Sequence, residues 1–196
     1  HIISRNKTKA LHDLISDNTK KVFHYCCDVI NLEQLIKTKN EILYSSHKID
    51  IVISNVGNGS GSQNPIPNEE EWNFLWQTNF SSSFNTAKVF IPELKKSEGN
   101  LIFVSSIAGL QSLGAPITYT TSKSALISFS KDLSIKLAPR IRVNVVAPGN
   151  VFFKDGTWDK KMKENPEQVK QMLSEKVPLN RFGNPEEIAD LILFVS

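Results

Sequence analysis

Cysteine is almost absent from this chain: the two present, Cys26 and Cys27, are adjacent, a spacing that strains a mutual disulfide and matches no metal motif. Both are expected to pack as small strand residues. The four histidines, His1, His12, His24 and His47, form no ligand-spaced pair, so a metal site is not expected. No long uninterrupted apolar run and no signal-peptide pattern are present. A membrane partner is therefore not expected, and the expected location is cytoplasmic. Charge of one sign is not concentrated either. The net charge is only +3, and Lys160-Lys161-Met162-Lys163 is the nearest approach to a basic run. Without interleaved aromatics it reads as a solvated helix face, and no nucleic-acid partner is expected.

What remains is a composition with 40% hydrophobic and 22% charged residues over 196 positions, enough for one globular domain, residues 1–196, with a substantial core. Strand and helix patterns alternate along it without repeats. Residues 1–4, 22–27, 49–54, 101–105 and 141–146 read as strands. The run 49–54, apolar apart from Asp50 and Ser54, is expected to be buried on both faces, as in a parallel sheet. Asn31 with Gln34 predicts a capping box opening a helix through Leu43, and Asn68 followed by Glu69, Glu70 and Glu71 predicts another. Trp72, Leu75, Trp76, Phe80, Phe84, Ala87 and Ile91 trace its apolar stripe. Further helices are expected over residues 8–16, 119–137 and 166–175, and from Pro185. The alternation predicts a doubly wound, Rossmann-like α/β fold with a parallel sheet.

The chemistry concentrates at Ser106, Tyr119 and Lys123. On a helix, Tyr119 and Lys123 lie one turn apart on one face, placing an ammonium beside a phenol. A free tyrosine titrates near ~10, and a neighbouring positive charge makes it a better proton donor and acceptor near neutrality. Ser106 closes the run 101–105, where its hydroxyl can share the same substrate oxygen. Alone, Tyr-x-x-x-Lys is a weak signal, since such pairs are common on solvated helices.

The order of the motifs is far more specific. Ser105-Ser106, Ala108-Gly109, Tyr119-x-x-x-Lys123 and Asn144-Val145-Val146-Ala147-Pro148-Gly149 follow one another. Asp28-Val29, Ser54-Asn55-Val56-Gly57, the mid-helix Asn79 and Arg181-Phe182-Gly183-Asn184-Pro185-Glu186-Glu187 complete the set. Together they resemble the compact branch of the short-chain dehydrogenase/reductase family along essentially the whole chain. The resemblance implies that Tyr119 is the acid/base, that Ser106 polarises the carbonyl, and that Lys123 assists Tyr119 and holds the nicotinamide ribose. It implies that Asn79 keeps a helix turn open and helps anchor a water relay; the plain alternative is a buried amide satisfied by backbone. Asp28 and Val29 would meet the adenine, Asn55 and Gly57 the adenosine side, and Pro148, Gly149 and the Val151 backbone the nicotinamide. A helix-entry aspartate is the plain reading of Asp28. The family's threonine shortly after Pro-Gly is not matched, since Thr157 comes late.

Arg5, after the first strand, favours a 2′-phosphate and hence NADP over NAD, with a surface arginine as the alternative. The expected substrate is a small-molecule carbonyl or alcohol, beneath Phe152, Phe153 and Trp158. These aromatics can equally belong to the core. The resemblance also implies a homodimer or homotetramer for the full-length protein. No glycine-rich phosphate turn precedes His1, and Gly57-x-Gly59-x-Gly61 falls after a later strand, where it reads as a flexible active-site loop. The expectation is thus a fragment lacking the family's N-terminal glycine-rich strand-turn and its C-terminal strand. Such a fold would be incomplete at both ends and inactive alone. Two other readings compete: a catalytically silent cofactor-sensing or scaffold protein on this fold, and an extended-branch epimerase or dehydratase.

Overall fold

The computed structural model describes residues 1–17 and 21–196. Among them, five strands alternate with eight α-helices. β1 (Ile2–Ser4) pairs in parallel with β2 (His24–Cys26). β3 (Ile51–Ser54), β4 (Asn100–Val104) and β5 (Arg142–Val146) form a second parallel sheet in the order β3-β4-β5. The helices are α1 (Lys9–Ser16), α2 (Leu32–Ser46), α3 (Glu69–Trp76), α4 (Ser82–Ser97), α5 (Ile117–Leu137), α6 (Thr157–Glu164), α7 (Pro166–Lys176) and α8 (Pro185–Val195). The doubly wound α/β class expected from the alternation is the observed one.

Local chemistry starts these helices. The Asn68 side chain accepts from Glu71 N at 2.8 Å, and three glutamates fill the first turn of α3, where the helix dipole favours negative charge. Asn31 accepts from Gln34 N at 3.0 Å. Gln34 does not return the bond to Asn31 as a capping box requires. Its Oε1 accepts from Asp28 N at 3.1 Å and pins the turn after β2 instead.

β4 is the spine of the core. Leu101, Ile102 and Phe103 are fully buried, and Leu101 and Phe103 pack with Ala87, Leu94, Leu126 and Ile141 from α4, α5 and the start of β5. A second cluster of Cys27, Leu35, Val89 and Phe90 gathers Ile3, Ile49 and Val52 around it, joining β1 and β2 to β3 through α2 and α4. Of the two adjacent cysteines only Cys27 is buried; Cys26 is exposed. Burial raises the Cys27 thiol pKa.

β3 departs from the expected two-sided burial. Val52 packs into the core and Ser54 bonds Ser83 at 3.0 Å, whereas Ile51 and Ile53 are 46% and 47% exposed. Among the described residues the strand is hydrogen-bonded along one edge, to β4, and its alternate side chains point to opposite faces. Only the α4 face is covered.

The expectation of a fragment lacking an N-terminal strand-turn and a C-terminal strand, with a fold incomplete at both ends, is corrected here. β1 is paired along its whole length with β2. At the other end, the α8 carbonyls are satisfied rather than loose: Asn100 Nδ2 donates to Val195 O at 2.6 Å, and the Arg142 guanidinium donates to Val195 O and Ser196 O. The first and last elements are thus tied into the alternation by backbone and side-chain polar bonds.

Gly109 fixes how α5 sits on β4. A Cβ there would lie 2.7 Å from the Lys123 carbonyl carbon, backbone that cannot swing aside. Gly109→Ala is therefore expected to destabilise by about 1–3 kcal/mol, read as a lower urea midpoint with an unchanged slope.

Candidate active site

The site grows from the carboxyl end of β4. The β4–β5 ladder continues beyond the strands through Ser105 N to Val146 O at 2.7 Å and Ile107 N to Pro148 O at 2.9 Å. These bonds hold Ser106 extended, at φ −161° and ψ 151°. The Ser106 hydroxyl oxygen accepts from Ala108 N at 3.1 Å, which orients the group and leaves its proton to donate.

α5 is docked onto this strand end at Lys123. Ser105 Oγ donates to Lys123 O at 2.9 Å and Ser124 Oγ to Gly109 O at 2.6 Å. The Lys123 side chain is only 3% exposed, and its Nζ donates to Val104 O at 2.9 Å. Nζ lies 5.9 Å from the centre of the Tyr119 ring, itself half-buried one turn earlier. Burial lowers the Lys123 pKa from 10.5 to about 8. A Cβ on Gly57 would stand 3.1 Å from Nζ and 3.2 Å from Asn79 Oδ1. A side chain there would press on both groups, so glycine suits the close approach of the loop after β3.

Asn79 is fully buried within a π-helical turn, Gln77–Ser81, that joins α3 to α4. Its amide donates to Leu75 O and Asn58 O, both at 2.9 Å, and its Oδ1 accepts from Asn58 N at 2.8 Å. The widened turn and the backbone-satisfied amide occur together; π turns of this kind cluster at functional sites. The loop containing Gly57, Gly59 and Gly61 is anchored at Asn58 by these bonds, while the three glycines themselves are exposed. A Cβ on Gly59 would fall 3.9 Å from the Tyr119 ring.

The remaining expected residues follow strand ends. Arg5 is exposed just after β1, its carbonyl accepting from Cys26 Sγ at 3.1 Å. Asp28 Oδ1 accepts from Ile30 N at 3.0 Å, the turn-forming bond of the helix-entry reading. Val29 O and Ile30 O accept from Asn85 Nδ2. Asn55 and Gly57 are exposed after β3, and Pro148, Gly149 and Val151 follow β5. Asn79 and Asn85, six residues apart, thus reach the segments after β3 and β2 from one helix stretch. Ligand clefts of open α/β sheets lie outside strand carboxyl ends in this way.

Phe152 and Trp158 pack on Phe182 at 5.7 and 5.3 Å between ring centres, while Phe153 is 54% exposed. Asn85 is not marked by sequence, and Ser105 and Phe182 enter it only as motif members with no role assigned. The partners of Phe182 and Asn85 are distant in the chain, and Ser105 acts through backbone contacts that no motif spells out.

A nucleotide cofactor fits these residues on one structural ground. Lys123 has three donors and, among the described residues, one hydrogen-bond acceptor, so two N–H groups remain for hydroxyls of a bound ligand.

Known proteins are similar to this chain along most of its length. A family model for short chain dehydrogenases matches residues 2–164. The 3-oxoacyl-(acyl-carrier-protein) reductase FabG of Chlamydia muridarum is 33% identical over 189 residues, 95% of this chain and 74% of that protein. A short-chain dehydrogenase/reductase of unknown function from Caenorhabditis elegans, solved with cofactor, superposes with TM-score 0.86 at 27% identity, covering 99% of this chain and 77% of that one. ElxO with NADP bound superposes with TM-score 0.88 at 25% identity, covering 98% and 79%. The structural matches run through nearly all of the α/β alternation of this chain and span about three quarters of each relative's length.

Lys123 gives a signed test. Between its folded value of about 8 and its ordinary 10.5, the unfolded chain holds a proton that the folded chain has shed, so stability rises with pH. Wild type should gain about 3 kcal/mol over Lys123→Met between pH 7 and 10.5, measured by urea denaturation across pH. A constant difference would mean the amine is not desolvated.

Proposed function

Since this chain belongs to the short-chain dehydrogenase family, we propose that residues 1–196 act as one catalytic unit reducing a carbonyl, or oxidising the matching alcohol, with NADP(H). The observation that carries this reading is the buried Lys123 ammonium, bonded to Val104 O and set against the Tyr119 ring. No structural need is served by an ammonium there that an apolar residue would not serve better.

In the reductive direction, the substrate oxygen accepts from the Tyr119 and Ser106 hydroxyls, and Tyr119 delivers its proton as negative charge develops on that oxygen. Lys123 keeps positive charge near the phenol and offers its remaining N–H groups to ribose hydroxyls. Asn79 holds the Gly57 loop open against Lys123 through Asn58 and helps anchor the water relay. The nicotinamide cofactor supplies the hydride.

Arg5 pairs with a 2′-phosphate, favouring NADP over NAD, and the second carboxylate oxygen of Asp28 accepts from the adenine amino group beside the Val29 backbone. Asn55 and Gly57 admit the adenosine side; Pro148, Gly149 and the Val151 backbone line the nicotinamide. NADP bound to the structurally similar ElxO supports this choice. The name of the Chlamydia relative makes a 3-oxoacyl thioester the first substrate class to try. Exposed Phe74, Phe84 and Ile117 on α3, α4 and α5 support a homo-oligomer, which light scattering would resolve.

Tyr119→Phe is expected to lower kcat for acetoacetyl-CoA reduction at least about 10³-fold while NADPH affinity stays near wild type by fluorescence titration. Turnover that survives the change would reject the assignment. Arg5→Asp should reverse the ratio of kcat/KM for NADPH and NADH; an unmoved ratio makes Arg5 a surface residue.

A further inference from the structure

The turn preceding α8 carries a fork of bonds that the proposed chemistry does not use. Arg181 donates from its two terminal nitrogens to Glu187 Oε2 at 2.9 Å and Oε1 at 2.6 Å, and one nitrogen also donates to Phe182 O at 2.9 Å. Glu187 Oε2 accepts in addition from Asn184 N at 2.8 Å, closing the cap of α8. Both charged side chains are about half exposed. As a stability device such a pair contributes little. Its planar two-point geometry instead fixes direction, and what it directs is the peptide at Gly183.

Gly183 N donates to Asn150 O at 2.8 Å and Phe152 N donates to Gly183 O at 2.9 Å. Val151 thereby forms an isolated parallel bridge with Gly183. A Cβ on Gly183 would be in ordinary contact with Glu187 Oε2, Asn150 O and Val151 at 3.7–3.8 Å, so the turn is already seated closely on both. Phe182, between the fork and the bridge, packs at a tilt against Phe152 and Trp158. These are the bonds recorded among the described residues that hold the backbone of residues 150–152 once it leaves β5.

We propose that Arg181 and Glu187 are positioning residues for the Val151 backbone: the fork sets the turn at residues 181–184, and that turn sets residues 150–152 through the two Gly183 bonds. What Val151 meets, the nicotinamide side of the cofactor, rests on the function proposed above; the mechanical link does not.

Arg181→Gln removes the fork, Arg181→Lys keeps the charge but not the two-point geometry, and the exchange R181E/E187R restores opposite charges in reverse order. Three readouts separate the explanations: amide hydrogen exchange at Phe152 and Gly183, the split of KM for NADPH from kcat, and exchange in β4 as the global control. Arg181→Gln should speed exchange at Phe152 and Gly183 about tenfold or more with β4 unchanged. It should raise the NADPH KM about tenfold, with a smaller fall in kcat. Arg181→Lys should fall between, and the exchanged pair should recover part of the KM. Unchanged exchange at both amides overturns the link. So does equal acceleration in β4, which would make the fork a stabiliser only; faster exchange with an unmoved KM would keep the link and overturn the positioning role at Val151. Wild-type protein that binds neither NADPH nor NADH would reject the proposed function and the role at Val151 with it, while the exchange arm still decides whether the fork holds the segment.

Discussion

A single buried cation sets the terms for this structure. Placing the Lys123 ammonium out of water is unfavourable unless its donors are met, and within the described residues only the Val104 carbonyl meets one. The side chain is held there by force of surroundings. Ser105 grips its own carbonyl, Gly109 lets the 3-10 turn after β4 lie against its peptide, and Gly57 leaves room for Nζ. The first two are short-range contacts with the Lys123 backbone, which has little freedom to relax. The depressed pKa is the direct expression of that confinement.

The parallel sheets make the confinement useful. Parallel strands place their carboxyl ends together, and loops leaving them converge without needing to be near in sequence. Here two amides on one helix stretch do the gathering. Asn79 holds the loop after β3, Asn85 holds the turn after β2, and the π turn at Gln77–Ser81 changes the helix phase between α3 and α4. The buried hydroxyls of Thr78, Ser82 and Thr86, each bonded to a carbonyl four residues earlier, satisfy polar groups along the same stretch. Beyond β5 the support is different in kind. The segment at residues 150–152 rests on the Gly183 turn and on a three-ring aromatic cluster, so the side of the cleft nearest α6 is built from contacts across about thirty residues of chain.

Much of this was legible beforehand because it is local. Asn68 and Asn31 announce helix starts by side-chain capping, and β4 announces burial by an unbroken apolar run. Tyr119 and Lys123 announce a shared face by their four-residue spacing. Family membership was legible for a related reason: the ordered motifs each mark a strand end or helix entry. Elsewhere local signals misled. The apolar run 49–54 was expected to be buried on both faces, yet Ile51 and Ile53 are exposed because β3 is paired and covered on one side only. Gln34 had the spacing of a capping box and instead bonds Asp28 N. The glycines at 57, 59 and 61 gave no hint of the Asn58 anchor between two of them.

The sequence by itself determined the alternation of strands and helices, the helix starts and the pairing of Tyr119 with Lys123, because those follow from periodicity and from side chains bonding their own neighbours. Tertiary structure alone decided how deep Lys123 is buried, that Asn79 binds Asn58, and that Phe182 and Gly183 support residues 150–152. Those outcomes depend on which backbone groups are left unpaired when distant segments pack, and no local pattern encodes that.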